Sequence, residues 1–382
     1  MMQPPCRIDI KDSRLGYMGC VVVDAFVRKT ACGGIRVKIG SEEMMAHAQE
    51  AALLARVMTL KFGFHEIPQG GAKGVIVLPN GIGREERDRR FRIFGEKLGP
   101  FLRKGTLKTG QDMGMTERDL HFLGVGAGLK KDDAVPGDEK RYASGEWTAT
   151  GIVASLEAAA KLFRWEMDRL EVIIEGFGAV GSSLAGLLAG KGVRVVGVST
   201  KEGGLYHPTG LDVACLLRLR DQYGDGLVAR YDGAQRMAPA QLLGAKADIL
   251  FPCAGLYSVN GGNAQALRVK TVIAGANCAL DEAAIRFCEE NGILFIPGFV
   301  ANAGSVLKTY LAKSQGVSSE KMEAEIRRLM GLRVTKWLQA GQDGGYYQTA
   351  VRIAEENRRR MTVMTEPLIK KICRKFLFQT AR

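Results

Sequence analysis

Residues 169–200 read RLEVIIEGFGAVGSSLAGLLAGKGVRVVGVST, and the order of residue types in this stretch decides the fold. Val172 to Glu175 predicts a strand, Gly176-x-Gly178-x-x-Gly181 a turn, and the small residues up to Ala189 a helix; Val193 to Ser199 predicts the next strand. The glycine spacing alone is a weak signal, since glycine-rich turns occur in unrelated α/β folds. Set between strand and helix, it points to a dinucleotide whose pyrophosphate rests on the helix N-terminus. Gly176, Gly178, Ala179, Val180 and Gly181 are then candidate cofactor contacts. Where an acid would hold the ribose 2′-hydroxyl of NAD, the second strand ends in Thr200 and Lys201. A hydroxyl and a cation suit a 2′-phosphate and make NADP plausible, while Glu202 close by leaves NAD open.

Downstream, Ala247 to Phe251, Thr271 to Ala274 and Gly292 to Ile296 read as further strands, followed by PCAG, GANC and PGFVANAG. Strand ends that run into small and polar loops fit a doubly wound sheet. From Glu320 onward the chain reads as charged helices broken at Gly341 to Gly345. Upstream, TATGIVASLEAAAKLF reads as a helix, and the polar stretch Gly137 to Gly145 as a domain boundary.

The N-terminal half predicts a buried strand in GYMGCVVVDAFV and a second from Ile35 to Ile39, with Cys32-Gly33-Gly34 as a turn between them. Ser41, followed by Glu42 and Glu43, starts a helix with an apolar stripe through Met44, Ala48, Ala51, Ala55, Met58 and Phe62, and Gly63 and Pro68 end it. Lys61 falls in its last turn. Lys73 follows Gly70, Gly71 and Ala72, which reads as a glycine-rich turn that a ligand can approach closely, and GVIVL continues as a strand. Arg84 to Phe101 is an amphipathic basic helix, and Asp112 sits in a loop ahead of a helix capped by Thr116 with Asp119. Taken singly, each lysine reads as a solvated surface group and Asp112 as an ordinary turn residue.

Composition narrows the classes. A chain of 382 residues with 46% hydrophobic content holds two ordinary domains. It contains no apolar run long enough to span a membrane and no secretory leader, so the cytoplasm is the expected location. Eight scattered cysteines suit reduced thiols, and the four histidines show no metal-ligand spacing. The net charge of +13 is spread over acid-flanked helices, Arg84 to Arg92 and Arg358 to Lys375, which suits a solvated face and not nucleic acid.

Read in order, ACGGIRV, MTLK…PQGGAKG, QDMGM, TATGIV, GFGAVG, ILFPCA, AGANC and VANAGSV give the chain, from about Gly16 to Ala312, a resemblance to the glutamate/leucine/phenylalanine/valine dehydrogenase family. The resemblance implies reversible oxidative deamination: an L-amino acid, NAD(P)+ and water give a 2-oxo acid, ammonium and NAD(P)H. It implies that Lys61 binds the substrate carboxylate, Lys73 is the catalytic lysine and Asp112 the catalytic acid. Gly33, Gly34 and Asn302 would then lie with the substrate, and Thr148, Cys253, Ala254 and Asn277 about the cofactor. The chemistry fits these residue types. A cation at a helix end suits a carboxylate, a partly desolvated lysine near another cation is eased towards a base that activates water, and an acid can move protons at the amino nitrogen.

Departures from the family pattern bear on specificity. Glutamate-specific members carry a lysine where this chain has Cys32, so an apolar or aromatic side chain is expected, as in the leucine and phenylalanine type. Gly298 stands for a common Asp, Ser305 for the second glycine of NAGG, and Met115 for a common Thr. The expected architecture is α/β. Residues 1–144 form a substrate and oligomerisation domain, 145–330 a Rossmann domain, and 331–382 helices that return to the first domain, with catalysis in the cleft between the domains of a homo-oligomer. Two other readings are a biosynthetic dehydrogenase of one aromatic amino acid, and a nucleotide-binding relative without turnover.

Overall fold

In the computed structural model, residues 6–40, 44–129, 143–341 and 345–362 are described. The described residues up to 129, together with 354–362, form one compact unit, and residues 143–353 form a second. Strands are numbered in chain order, as are helices of nine residues or more.

The first unit is built on a five-stranded sheet in the order β1-β2-β4-β3-β5. Its strands are β1 (Cys6–Asp12), β2 (Gly16–Val23), β3 (Ala31–Ile39), β4 (Gly70–Leu78) and β5 (Leu107–Gln111). β1 and β2 form an antiparallel pair, β2 runs antiparallel to β4, and β3 runs parallel to both β4 and β5. Alternation along the strands gives each face its own cover. Helix α1 (Met44–Phe64) lays Ala48, Ala51 and Ala55 on Cys20, Val22, Val75 and Val77. On the opposite face α2 (Arg84–Leu102) and α3 (Glu117–Gly126) bring Phe91, Phe94, Leu98, Leu120 and Leu123 onto Ile35, Ala72 and Ile76.

Both glycine-rich turns expected from the sequence are strand. Cys32-Gly33-Gly34 lies inside β3 and Gly70 to Lys73 inside β4, where Ala31 pairs with Gly70 and Cys32 with Gly71. The glycines are needed because protein backbone, not ligand, comes close to them. A Cβ on Gly71 would meet Ala55 O at 2.2 Å, one on Gly70 would meet Ala25 O at 1.9 Å, and one on Gly33 would meet Ala72 O at 1.6 Å. Nor does Gly63 stop α1, which runs on to Phe64; a Cβ on Gly63 would meet Ala354 O at 2.2 Å. The Ser41 cap expected ahead of α1 falls outside the described residues, whereas the Thr116–Asp119 capping box is present.

The second unit carries a seven-stranded sheet in the order β12-β11-β10-β6-β7-β8-β9. Five strands are parallel: β6 (Glu171–Glu175), β7 (Arg194–Thr200), β10 (Ile249–Pro252), β11 (Thr271–Ile273) and β12 (Leu294–Ile296). β8 (Gly203–Tyr206) and β9 (Gln235–Met237) extend it antiparallel beyond β7. These two strands were not anticipated, because short segments, one polar and one glycine-led, carry no period of their own. The helices are α4 (Ala143–Phe163), α5 (Ala179–Ala189), α6 (Val213–Tyr223), α7 (Glu282–Glu290), α8 (Gly304–Gln315), α9 (Ser319–Ala340) and α10 (Tyr346–Met361). α9 packs along α4, so the return to the first unit begins at Ala354 and not near residue 331. There Glu355 pairs with Arg56 of α1 and Arg360 with Glu66. Among the described residues no helix is long and apolar enough to cross a membrane. Among the described residues Cys20, Cys32, Cys215, Cys253, Cys278 and Cys288 are not disulfide-bonded, while Cys6 is, which corrects the reduced-thiol expectation at Cys6.

Candidate active site

In the first unit, alternation puts Cys32, Gly34 and Arg36 of β3 on the same sheet face as Lys73 of β4, the face that α1 covers. The end of α1 meets β4 here, with Gly71 N donating to Thr59 Oγ1 at 3.1 Å. Lys61 lies in that last turn and is buried. A cation at a helix C-terminus is favoured by the exposed carbonyls, and the turn fixes where its stem begins.

Lys73 is 3% exposed and its Nζ lies 2.7 Å from Asp112 Oδ2. Asp112 directly follows β5, the edge strand parallel to β3, so its position is set by the sheet and not by a free loop. Arg36 Nε donates to the same Oδ2 at 2.9 Å, and Arg36 Nη1 donates to Glu50 Oε1 of α1 at 2.7 Å. Lys38 closes the chain on Glu50 Oε2 at 2.8 Å. Burial alone would push the Asp112 carboxyl up, but the Lys73 and Arg36 cations on its Oδ2 outweigh that and hold it at about 2. Asp112 is therefore an anion across the neutral range, and in any proton exchange it begins as the acceptor. The 2.7 Å contact also gives a direct proton path between it and Lys73 Nζ.

Cys32 is half-buried, paired in register with Gly71 on one side and Lys108 of β5 on the other. A Cβ on Gly34 would meet Gln111 O at 2.8 Å and Asp112 Cβ at 3.1 Å, so only glycine lets the Asp112 loop settle on β3. Thr109 Oγ1 donates to Gly33 O at 3.1 Å. Met115, in place of the family's Thr, is buried in the α2 and α3 core.

In the second unit, Gly176 follows β6 with φ +91°, and a Cβ there would meet the Ala254 backbone at 2.6 Å. Gly181 packs its Cα side against Gly176 O, where a Cβ would come to 2.1 Å. Gly178 differs: it caps α5, and nothing lies within 4 Å of where its Cβ would stand. Ala179 and Val180 open α5. This cradle fits a dinucleotide pyrophosphate, with open space over the middle glycine and free helical N–H groups behind it. Cys253, whose thiol burial pushes up, stands against Gly275 and gives its backbone N–H to Glu175 O at 2.7 Å.

Asn302 Nδ2 donates to Gly275 O at 2.9 Å and to Asn277 Oδ1 at 3.2 Å, so the two asparagines form one group. Among the described residues Asn302 Oδ1 is a buried acceptor with no partner, and its chemistry suits a ligand N–H. Thr148 Oγ1 and Ser305 Oγ share a hydrogen bond of 2.9 Å, which accounts for a serine where the family has glycine. Gly298 leaves room for this group: a Cβ would meet Ala276 O at 2.5 Å and Asn302 Nδ2 at 3.0 Å. Thr200 is buried, donates to Asp225 O at 2.8 Å and accepts from Glu202 N at 3.1 Å. Lys201 beside it is exposed.

Three contributors escaped the sequence reading. Arg36 sat within ACGGIRV and Glu50 within the first helix, neither with a role, and only the β3–α1 packing pairs them. Glu175, the last residue of β6, is buried next to Gly176, is pushed up by that burial, and takes a hydrogen bond from Ser258 Oγ at 2.8 Å.

A model of the Glutamate/Leucine/Phenylalanine/Valine dehydrogenase family matches residues 141–362, and one of the Glu/Leu/Phe/Val dehydrogenase dimerisation domain matches residues 11–124. A glutamate dehydrogenase of Thermotoga maritima is 30% identical over 317 residues, 79% of this chain and 74% of that protein. An NAD-specific glutamate dehydrogenase of Staphylococcus aureus is 29% identical over 312 residues, 77% and 73% of the two. The crystal structure of a hetero-hexameric glutamate dehydrogenase from Thermus thermophilus, in its leucine-bound form, superposes with a TM-score of 0.78 at 25% identity, covering 94% of this chain and 88% of that one.

Proposed function

The chain belongs to the glutamate/leucine/phenylalanine/valine dehydrogenase family, and on that premise we propose that it oxidatively and reversibly deaminates an L-amino acid with an apolar or aromatic side chain. It is an oxidoreductase that uses NAD or NADP, and it works as a homo-oligomer through the segment matched by the dimerisation domain. The observation that carries the reading is the buried contact of Lys73 Nζ with Asp112 Oδ2, on the sheet face that also holds Cys32 and the end of α1.

Lys61, fixed at the helix end, takes the substrate carboxylate. Asp112, anionic between two cations, receives a proton from the substrate nitrogen. Lys73 orients the attacking water and exchanges protons with Asp112 along their contact. Gly178, Gly181 and the start of α5 would hold the cofactor pyrophosphate, with Asn302, Asn277 and Thr148 about the nicotinamide. When bound, the nicotinamide supplies the hydride acceptor. Cys32 offers a substrate side chain a small, uncharged wall. Lys201 is the group suited to a 2′-phosphate, since the Thr200 hydroxyl is already committed to Asp225 O and Glu202 N.

One observation favours a second reading. Lys108 pairs with Cys32 across β3 and β5, and paired residues share a sheet face, so a cation stands one strand away from where the glutamate type carries its own. Through Lys108, glutamate is the alternative substrate. Following absorbance of the reduced cofactor over a panel of L-amino acids, with NAD+ and NADP+ in turn, decides between them. Turnover of leucine, phenylalanine or tryptophan above glutamate is expected. A glutamate preference that Lys108→Ala abolishes would establish the second reading, and cofactor binding without turnover of any amino acid would remove both.

A further inference from the structure

Asp112 is held from one side only. Lys73 Nζ at 2.7 Å and Arg36 Nε at 2.9 Å both contact Oδ2, and among the described residues no group bonds Oδ1. Arg36 is itself pinned: it is 8% exposed on β3, and its Nη1 donates to Glu50 of α1, which Lys38 holds in turn. Sheet and helix thus fix the guanidinium before any ligand arrives. A guanidinium is the suitable group here, because it stays charged when buried and its planar fork can serve two carboxylates at set angles.

We propose that Arg36 is a positioning residue for Asp112: together with Lys73 it captures Oδ2, and so presents Oδ1 to the substrate nitrogen. The inference rests on the deamination reading above. It assigns the network an order of command. Glu50 holds Arg36, Arg36 holds Asp112, and Asp112 alone of these three carboxylate and guanidinium groups touches the substrate. Among the described residues the charged groups acting on Asp112 are Lys73 from β4 and Arg36 from β3; Glu50 and Lys38 join it through Arg36.

The order can be tested because two substitutions act on Asp112 with opposite electrostatic sign. Arg36→Gln takes away a cation and should let Asp112 protonate at higher pH; Glu50→Gln takes away the anion that partly neutralises Arg36 and should not. For the amino acid turned over best, kcat and KM are measured from about pH 3 to about pH 9. Arg36→Gln is expected to lower kcat by at least about tenfold with KM changed by less than about threefold, and to raise the acidic limb of the profile. Arg36→Lys should restore the limb in part. Glu50→Gln should leave the limb in place or lower it.

Difference infrared spectra of each protein against its Asp112→Asn counterpart read the carboxyl directly, with or without turnover. Ionised Asp112 is expected to persist at about pH 4 in wild type and Glu50→Gln and to be lost in Arg36→Gln. An unmoved limb and carboxyl band in Arg36→Gln, or equal movement in the same direction in Arg36→Gln and Glu50→Gln, would overturn the proposal, since mere loosening of a packed network affects both alike. Should wild type deaminate no amino acid while the infrared ordering holds, the deamination reading fails and the control of Asp112 by Arg36 stands. Should Arg36→Gln not fold, Arg36→Lys and Glu50→Gln carry the same comparison, and a wild-type Asp112 band in both together with unchanged kcat in Arg36→Lys would overturn the proposal.

Discussion

The glycines ahead of Lys73 differ from Gly178, the middle glycine after Glu175, in what comes close to them. Around Gly70 and Gly71 it is the protein's own backbone, from residue 25 and from α1, and the chemistry is left to the charged side chain that follows. At Gly178 there is open space, and the backbone itself is the candidate binding surface. The two regions also treat their acids oppositely. Asp112 is held down by cations, while Glu175 is pushed up by burial. The same residue type therefore does unlike work: glycine in a strand draws layers together, and glycine at a helix start clears room for a ligand.

The largest expected effect tests whether the first region works through its lysine. Lys73→Ala should lower kcat on the order of 10³-fold while the fold persists, because Asp112 keeps Arg36 as a partner. Steady-state kinetics beside a thermal melt check this; kcat within about threefold of wild type would strip Lys73 of its role. Next comes the contrast between glycines. Gly71→Ala drives a methyl to 2.2 Å from Ala55 O and 2.3 Å from Thr59 N, and should cost about 3 kcal/mol in a denaturant titration or prevent folding. Gly178→Ala should change stability by less than about 0.5 kcal/mol yet weaken nucleotide binding about tenfold. Equal stability losses at both sites would erase the distinction between them.

Much of this was legible beforehand, for reasons that can be named. The Glu171 to Thr200 unit announced itself because strand, three glycines and helix form one local pattern, and parallel strands buried on both faces read as short apolar runs. Lys61 in its helix end and Asp112 ahead of a capped helix followed from local rules as well. What stayed hidden depends on partners distant in sequence. Nothing within ACGGIRV says that its glycines are strand, because their neighbours are Ala72 and the Asp112 loop. Arg36 meets Glu50 only once α1 lies on β3, and Thr200 reads as a ligand until the turn at Asp225 takes its hydroxyl.

The paired acids supply a middle-sized effect with opposite signs. A carboxyl lowered from 3.8 to about 2 adds stability that is fully present above the unfolded value and lost as pH falls through the folded one, about 2 kcal/mol for Asp112. The gap in denaturation midpoint between wild type and Asp112→Asn should therefore be flat above about pH 5 and roughly half closed by about pH 3. For Glu175, raised by burial, the contribution is present below the unfolded value and lost as pH rises through the folded one. Glu175→Gln should accordingly gain on wild type as pH rises from acid towards neutral. If both variants changed with pH in the same direction, burial and not the two cations would govern Asp112.

The smallest effect concerns the far end of the second region, and it separates a structural hydroxyl from a ligand-facing cation. Thr200 Oγ1 gives its proton to Asp225 O and accepts from Glu202 N, which ties the end of β7 to the turn after α6. Thr200→Val removes both bonds and leaves a half-buried carbonyl and N–H without their protein partner, a loss of about 1 kcal/mol. Because the hydroxyl faces inward, the ratio of NADP+ to NAD+ affinity should move by less than about twofold, whereas Lys201→Ala, which strips an exposed cation, should lower it about fivefold. Titration of each variant with both nucleotides gives the ratios. A large change in Thr200→Val with none in Lys201→Ala would return the 2′ position to the threonine, and would mean that the open space beginning at Gly178 extends to the end of β7.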